Sequence, residues 1–210
     1  MKINTFLLGL LSFFLTNCKE NKQTLPILGE RKVVEKNVNG EMKMDTIYTT
    51  IPDFSFVNQY GETITQKNTE NKIIVVDFFF THCPSICPKM KAEMLKIYNR
   101  YKDKNEVVIL SHSIDPKRDS VNVLFSYAKK LGIAGNTWHL LTGEKDSIFG
   151  IAKKYLAEVA EDEDAPGGLV HSGNFILIDK QKRIRGYYDG TTDEGAEKMI
   201  KDIEYLLNEK

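Results

Sequence analysis

Residues 73–90 read IIVVDFFFTHCPSICPKM, and the way this stretch divides decides the fold. Ile73 to Phe80 is a run of β-branched and aromatic residues suited to a strand covered on both faces, and it is the expected central strand. Past the cysteines, Ile86, Met90, Met94, Ile97, Tyr98 and Tyr101 recur at helical spacing, and the prolines lie where a first helical turn tolerates them. The methionine stripe is therefore expected to face the core. The stretch reads as strand, cysteine loop, helix. Cys83 and Cys87 stand four apart, which is neither the two-residue spacing of the familiar redox dithiol nor, alone, enough for a closed zinc site. With Cys87 in the first turn and Cys83 just ahead, the sulfurs face the same way, with Cβ atoms about 5–6 Å apart. Such a pair can hold one metal ion or, with a small adjustment, close a disulfide. The helix N-terminus favours thiolate, which is both nucleophile and metal ligand.

Working outward, Ile51 to Val57, the Asn58–Gly61 turn and Glu62 to Thr65 predict an N-terminal hairpin. Downstream, Val107 to Ile114 predicts a second buried strand. Val121, Leu124, Phe125, Ala128 and Leu131 mark a second helix, with Asp119 as its expected N-cap. Trp138 to Leu141 predicts a third strand, followed by a helix around Lys145 to Tyr155 and an acidic, glycine-ended loop from Glu161 to Gly168. Phe175–Ile178 and Arg183–Tyr188 predict a hairpin, and Ala196, Met199, Ile200, Ile203, Leu206 and Leu207 a closing amphipathic helix. The order βαβα, then ββα, is that of an α/β, thioredoxin-like fold with a central mixed sheet flanked by helices.

The first residues, MKINTFLLGLLSFFLTNC, have a basic start at Lys2 and an apolar stretch from Phe6 to Leu15. That stretch is shorter than the ~20 residues of a spanning helix and suits a secretory signal. Leu15-Thr16-Asn17-Cys18 resembles a bacterial lipobox, which implies a signal peptide over 1–17 and a lipid on Cys18. The protein is then exported and anchored to the cell membrane, with its domain on the periplasmic or extracytoplasmic side. Residues 18–45, rich in Lys, Glu and Asn, read as a flexible tether, and 46–210 as the folded domain. Met42 and Met44 in that linker are read as incidental rather than as a metal motif.

Lys+Arg and Asp+Glu both total 29, so nothing in the charge favours nucleic acid as a partner. With Cys18 given to lipid, Cys83 and Cys87 are the two thiols left of the chain's three cysteines. The loop they bracket is too small for a disulfide to staple a domain of this size, so they read as functional. Two soft thiolates with one imidazole make a set that suits copper, and the third ligand must come from the chain's four histidines. His82 abuts Cys83 but should diverge from it. His112 and His139 lie in hydrophobic strands and read as satisfied core or edge residues. His171 sits in a loop just before a strand, on the side that faces the dithiol in a thioredoxin-like domain.

Thr81-His-Cys83-Pro-Ser-Ile-Cys87-Pro88, Ser113-Ile-Asp115-Pro-Lys-Arg-Asp119 and Val170-His171 together resemble the Sco/SenC copper-chaperone family, over about Ile51 to Leu207. The resemblance implies a thioredoxin-like protein that binds one copper through Cys83, Cys87 and His171, and the chain is expected to be a monomer. It also implies a role in assembling the dinuclear copper site of cytochrome c oxidase. The partners it implies are the copper-site subunit of a respiratory oxidase and another copper chaperone or thioredoxin-like reductant. Val170 departs from the family's usual Asp, and a lipid stands where many members have a transmembrane helix. Asp115 and Asp119 read equally as a turn and a helix cap and stay outside the ligand set. Two rival readings use the same thiols: a thiol–disulfide oxidoreductase acting through Cys83 and Cys87, and a copper or redox sensor.

Overall fold

An apolar run can stay extended in water-free surroundings only if helices or sheet cover both of its faces, and this is how Ile73–Phe79 is placed. The computed structural model describes residues 24–209; the expected signal peptide over 1–17 and Cys18 lie outside them. In chain order the strands are β1 Arg31–Val38, β2 Glu41–Tyr48, β3 Ser55–Asn58, β4 Thr63–Thr65, β5 Ile73–Phe79, β6 Val107–Ser113, β7 Trp138–Thr142, β8 Val159–Glu161, β9 Leu169–His171, β10 Asn174–Ile178 and β11 Ile184–Asp189. The helices are α1 Cys87–Tyr101, α2 Val121–Leu131, α3 Lys145–Lys154 and α4 Asp193–Asn208.

Seven strands form one mixed sheet in the order β11-β10-β5-β6-β7-β3-β4. β5, β6 and β7 run parallel, linked by the helical crossovers α1 and α2, while β10 joins β5 antiparallel. The expected hairpin β3–β4 extends the far edge by pairing with β7. Alternation along β5 divides the core. Ile73, Val75 and Phe79 pack with the Met90, Met94 and Ile97 stripe of α1 and with α2 and α4. Ile74, Val76 and Phe78 pack against Ile148, Ile151 and Tyr155 at α3 and against Phe54 and Phe56. Thr192 caps α4 by accepting from the Gly195 N–H at 3.2 Å, and α2 ends at Gly132, whose φ of 69° suits glycine.

Three local expectations are corrected. The segment 18–45, read as an irregular tether, contains a β-hairpin from Arg31 onward: β1 pairs with β2 over eight residues around an Asn39-Gly40 turn, both residues having positive φ. Ahead of it, Leu28 already bridges to Ile184. Asp119 does not cap α2; Ser120 occupies that position and the Asp119 side chain turns inward. His171 does not sit in a loop. It ends β9, which pairs with β8 in a short hairpin that the acidic Asp162–Gly168 segment closes.

Candidate metal centre

The site forms where the chain leaves β5 and turns into α1. Phe80 ends the apolar run, residues 81–86 make a loop, and Cys87 is the first residue of α1 with Pro88 behind it. Pro88 fits because the first-turn N–H groups have no intrahelical acceptor. Cys87 is buried and Cys83 half-buried, and both are free thiols. The β8–β9 hairpin carries His171 over this loop from 84 positions further along the chain, placing its Nε2 3.3 Å from the Cys87 Sγ. The two sulfurs and one imidazole nitrogen lie within 4.8 Å of one another, and they are the one such group of potential metal ligands among the described residues.

The imidazole is held in a definite form. Its Nδ1–H donates to the Ser172 carbonyl at 3.0 Å, which leaves the Nε2 lone pair facing the thiols. Burial holds the His171 pKa below its ordinary value, with the Ser172 carbonyl acting the other way, so the ring is neutral at pH 7. Phe80 meets the ring edge-on at 6.2 Å between centroids.

The thiols are unequal. Burial works to raise Cys83, but hydrogen bonds from Cys87, from the Ser85 hydroxyl and from nearby backbone N–H groups outweigh it, and its pKa falls below the usual thiol value. Burial, and then the hydrogen bond to Cys83, push Cys87 up to about 12. One proton removed from the pair therefore leaves Cys83, and Cys87 steadies the resulting thiolate.

Of the other histidines, His82 is exposed and its Nδ1 lies 3.0 Å from the Thr81 hydroxyl. His139 is buried, its Nδ1 accepting from the Asn58 amide at 3.2 Å, as expected of a satisfied core residue. His112 is also in the core, enclosed by Phe56, Phe78 and Tyr155, but neither ring nitrogen has a hydrogen-bond partner among the described residues. It is a core residue without being a satisfied one.

Two supports of the site escaped the sequence reading. Asp119 Oδ2 accepts from the Thr81 N–H at 3.0 Å and from the Ser113 hydroxyl at 2.6 Å, while Oδ1 accepts from the Thr81 hydroxyl at 2.5 Å. It ties the start of the cysteine loop to the end of β6. Asp115 sits apart, paired with Arg118 at 3.1 Å. Beneath the helix, Lys91 and Asp77 form a fully buried ion pair at 2.6 Å. Ser111 bonds to Asp77, the Trp138 indole N–H donates to Ser111 at 2.8 Å, and the Lys91 ammonium lies 4.1 Å from the Phe79 ring centroid. The signal was an aspartate inside an apolar strand and a lysine on the core face of α1, each of which demands a partner.

A family model described as SCO1/SenC matches residues 43–208. A SCO1/SenC family lipoprotein from Bacillus anthracis has a solved structure that is 30% identical to this chain, with a TM-score of 0.69 over 76% of this chain and 95% of its own. BsSco, a member of the Sco family of cytochrome c oxidase assembly proteins in which a disulfide switch was identified, is 26% identical with a TM-score of 0.67 over 77% and 95% of the two chains. Arabidopsis thaliana ScoI, solved with copper bound, is 26% identical with a TM-score of 0.62 over 75% and 99%. With the family match spanning most of the described domain and the thioredoxin-like sheet in place, the chain belongs to the SCO1/SenC family.

Proposed function

We propose that this protein is a membrane-tethered copper metallochaperone that holds one copper ion through Cys83, Cys87 and His171 and passes it to the copper-site subunit of a respiratory oxidase. The observation that carries the reading is the convergence of two sulfurs and the free Nε2 of a tautomer-fixed imidazole within 4.8 Å, from elements far apart in the chain. Soft thiolates favour Cu(I), and the imidazole, a borderline ligand, helps the same set accept Cu(II). Loading displaces the thiol protons, and with both thiolates formed the ligand set carries two negative charges, offset in part by Cu(I) and fully by Cu(II). Half-exposed Cys83 is the ligand an incoming partner thiol would reach first.

Cys18 serves in this reading as the lipid attachment point that keeps the domain at the outer face of the cell membrane; no helix among the described residues is long and apolar enough to cross one. The test is copper stoichiometry of the purified chain followed by transfer. One copper per chain, lost when both cysteines become serine and delivered to a purified oxidase copper-site fragment, is the expected result. Tight stoichiometric copper in the double serine variant would sink the ligand assignment.

The thiol asymmetry favours a second reading on the same residues. A half-exposed Cys83 of lowered pKa with a buried Cys87 behind it is the arrangement of a dithiol reductant, in which Cys83 attacks a client disulfide and Cys87 resolves the mixed disulfide. Two electrons pass to the client and Cys83–Cys87 becomes a disulfide. That product lacks both thiolates, so disulfide formation and copper loading exclude one another.

A further inference from the structure

The end of the domain opposite the thiols carries a concavity of its own. Cys83 stands four positions past Phe79, the last residue of β5, whereas the turn between β10 and β11 lies beside the start of that strand, because Ile178 pairs with Ile74. At this end an open cleft of about 770 Å³ is lined by Arg31, Lys180, Arg183 and Arg185, against the two acids Asp179 and Glu209, with Leu25 and Tyr48 among its apolar walls. Asp179 pairs with Arg183 at 2.8 Å and with Arg185 at 3.0 Å, and Glu209 pairs with Arg185 at 2.6 Å. Arg31 and Lys180 have no acidic partner among the described residues, so the cleft keeps an excess of positive charge.

The chain's path fixes where this cleft sits relative to the anchor. Arg185 donates to the carbonyl of Leu25 at 2.8 Å and to that of Pro26 at 3.0 Å, and the Leu28 N–H donates to Ile184 at 2.8 Å. The N-terminal segment is thus fastened to the domain from Leu25 onward. From Cys18 to Leu25 the backbone spans at most about 25 Å even when fully extended. The thiols lie a further strand length away, about 23 Å for the residues of β5. The β1–β2 hairpin springs from the rim of the same cleft, which Arg31 and Tyr48 line. It exposes Val33 (58%), Met42 (62%), Met44 (67%) and Ile47 (56%).

From the short anchor, the uncompensated cations and the exposed apolar hairpin, we propose that this cleft takes the phosphate headgroup of a membrane phospholipid and that the β1–β2 hairpin rests on the bilayer beside it, so that the Cys83/Cys87/His171 pocket faces away from the membrane. Arginine and lysine suit phosphate oxygens, and basic residues near a bilayer gain from its anionic surface. The placement rests on the reading of Cys18 as the lipid anchor.

The test uses the full lipidated chain in vesicles of phosphatidylethanolamine and phosphatidylglycerol containing a headgroup spin-labelled lipid, read by methyl resonances of the methionines. Met42 and Met44 should broaden, whereas buried Met90, Met94 and Met199 should not. Replacing Arg31 and Lys180 by serine should reduce the contacting population by about fivefold per cation removed while leaving the Met90 and Met94 resonances in place. Sharp Met42 and Met44 signals in a chain whose mass confirms the lipid would overturn the docking and leave the anchor intact; an unlipidated Cys18 would remove both. Inorganic phosphate saturating the cleft in detergent as tightly as lipid does would reduce it to an anion site. Cross-linking of two chains through the hairpin would assign that surface to a second copy instead.

Discussion

Asp119 grips Thr81 twice, through its backbone N–H at 3.0 Å and its hydroxyl at 2.5 Å, and the residue so held stands two positions ahead of Cys83. The carboxylate also accepts from Ser113 at 2.6 Å, so one fully buried acid joins the cysteine loop to the end of β6. A buried carboxylate with three hydrogen bonds is a strong tether, since each bond to a charged group contributes about 1.5–3 kcal/mol. Asp119→Asn keeps the volume but cannot accept at both atoms. It should lower stability by a few kcal/mol at most and weaken copper binding in the folded fraction, as measured by chelator competition beside denaturant unfolding. Wild-type copper affinity in this variant would show that the tether does not position the thiols.

His171→Ala separates the metal reading from simple dithiol exchange. Without the imidazole the two thiolates retain Cu(I) weakly, and Cu(II) binding should fall most, by at least about tenfold if one ligand is lost. Exchange with a small test disulfide should continue, because Cys83 keeps its hydrogen bonds from Cys87 and Ser85. Unchanged affinity for both oxidation states would remove His171 from the ligand set.

Gly167 has φ +88°, and a Cβ there would stand 2.7 Å from Cε2 of Phe80. Phe80 also lies against the His171 ring. Gly167→Ala therefore strains the backbone and pushes the β8–β9 hairpin off the cysteine loop. A cost of about 1–3 kcal/mol is expected from such a conformation. The informative readout is a larger loss of copper affinity than the surface variant Asp164→Ala produces.

Breaking the Lys91–Asp77 pair from one side leaves a bare charge in the core. Lys91→Met should destabilise the domain by about 3–5 kcal/mol, whereas Lys91→Met combined with Asp77→Val should recover most of that loss. Chemical denaturation of the single and double variants measures both, and equal loss in the two would mean that the pair contributes net stability of its own.

Burial holds His112 down to about 3 and His139 down to about 4, against an ordinary value of 6.5. Both are neutral in the folded chain at a pH where the unfolded chain already binds their protons. Their contribution is therefore complete above about pH 6.5 and is lost as pH falls toward the folded values, at up to about 1.4 kcal/mol per pH unit for each histidine. Unfolding free energy measured from pH 7 to pH 4.5 should fall accordingly, and His112→Phe should flatten the slope by the share that His112 carries, leaving that of His139 and of His171, whose pKa is lowered too. A pH-independent free energy over that range would contradict the burial of both rings as neutral groups.

Regular periodicity made most of the fold legible. β5 and β6 are buried runs, α1 and α4 carry apolar stripes, that of α1 interrupted by Lys91, and the Cys83–Cys87 pair lies in one local stretch whose helix start is marked by Pro88. These are short-range facts, set by side-chain spacing and backbone sterics alone. The β1–β2 hairpin was missed: the Asn39-Gly40 turn signals it, but its strands are almost wholly exposed and apolar alternation is confined to Met42 and Met44, so the segment reads as a tether. What only the tertiary structure decided depends on parts of the chain that meet across the sheet. The thioredoxin-like topology and the family resemblance implied that His171 lies on the dithiol side, but the β8–β9 pairing set its distance from Cys87 and the Ser172 carbonyl set its tautomer. Asp119 reads locally as a helix cap and becomes a buried tether because Thr81 and Ser113 arrive beside it from β5 and β6. Asp77 and Lys91 likewise acquire each other only when α1 folds back over β5. A polar group's role is settled by which partner reaches it once water is gone, and one-dimensional spacing carries no record of that partner.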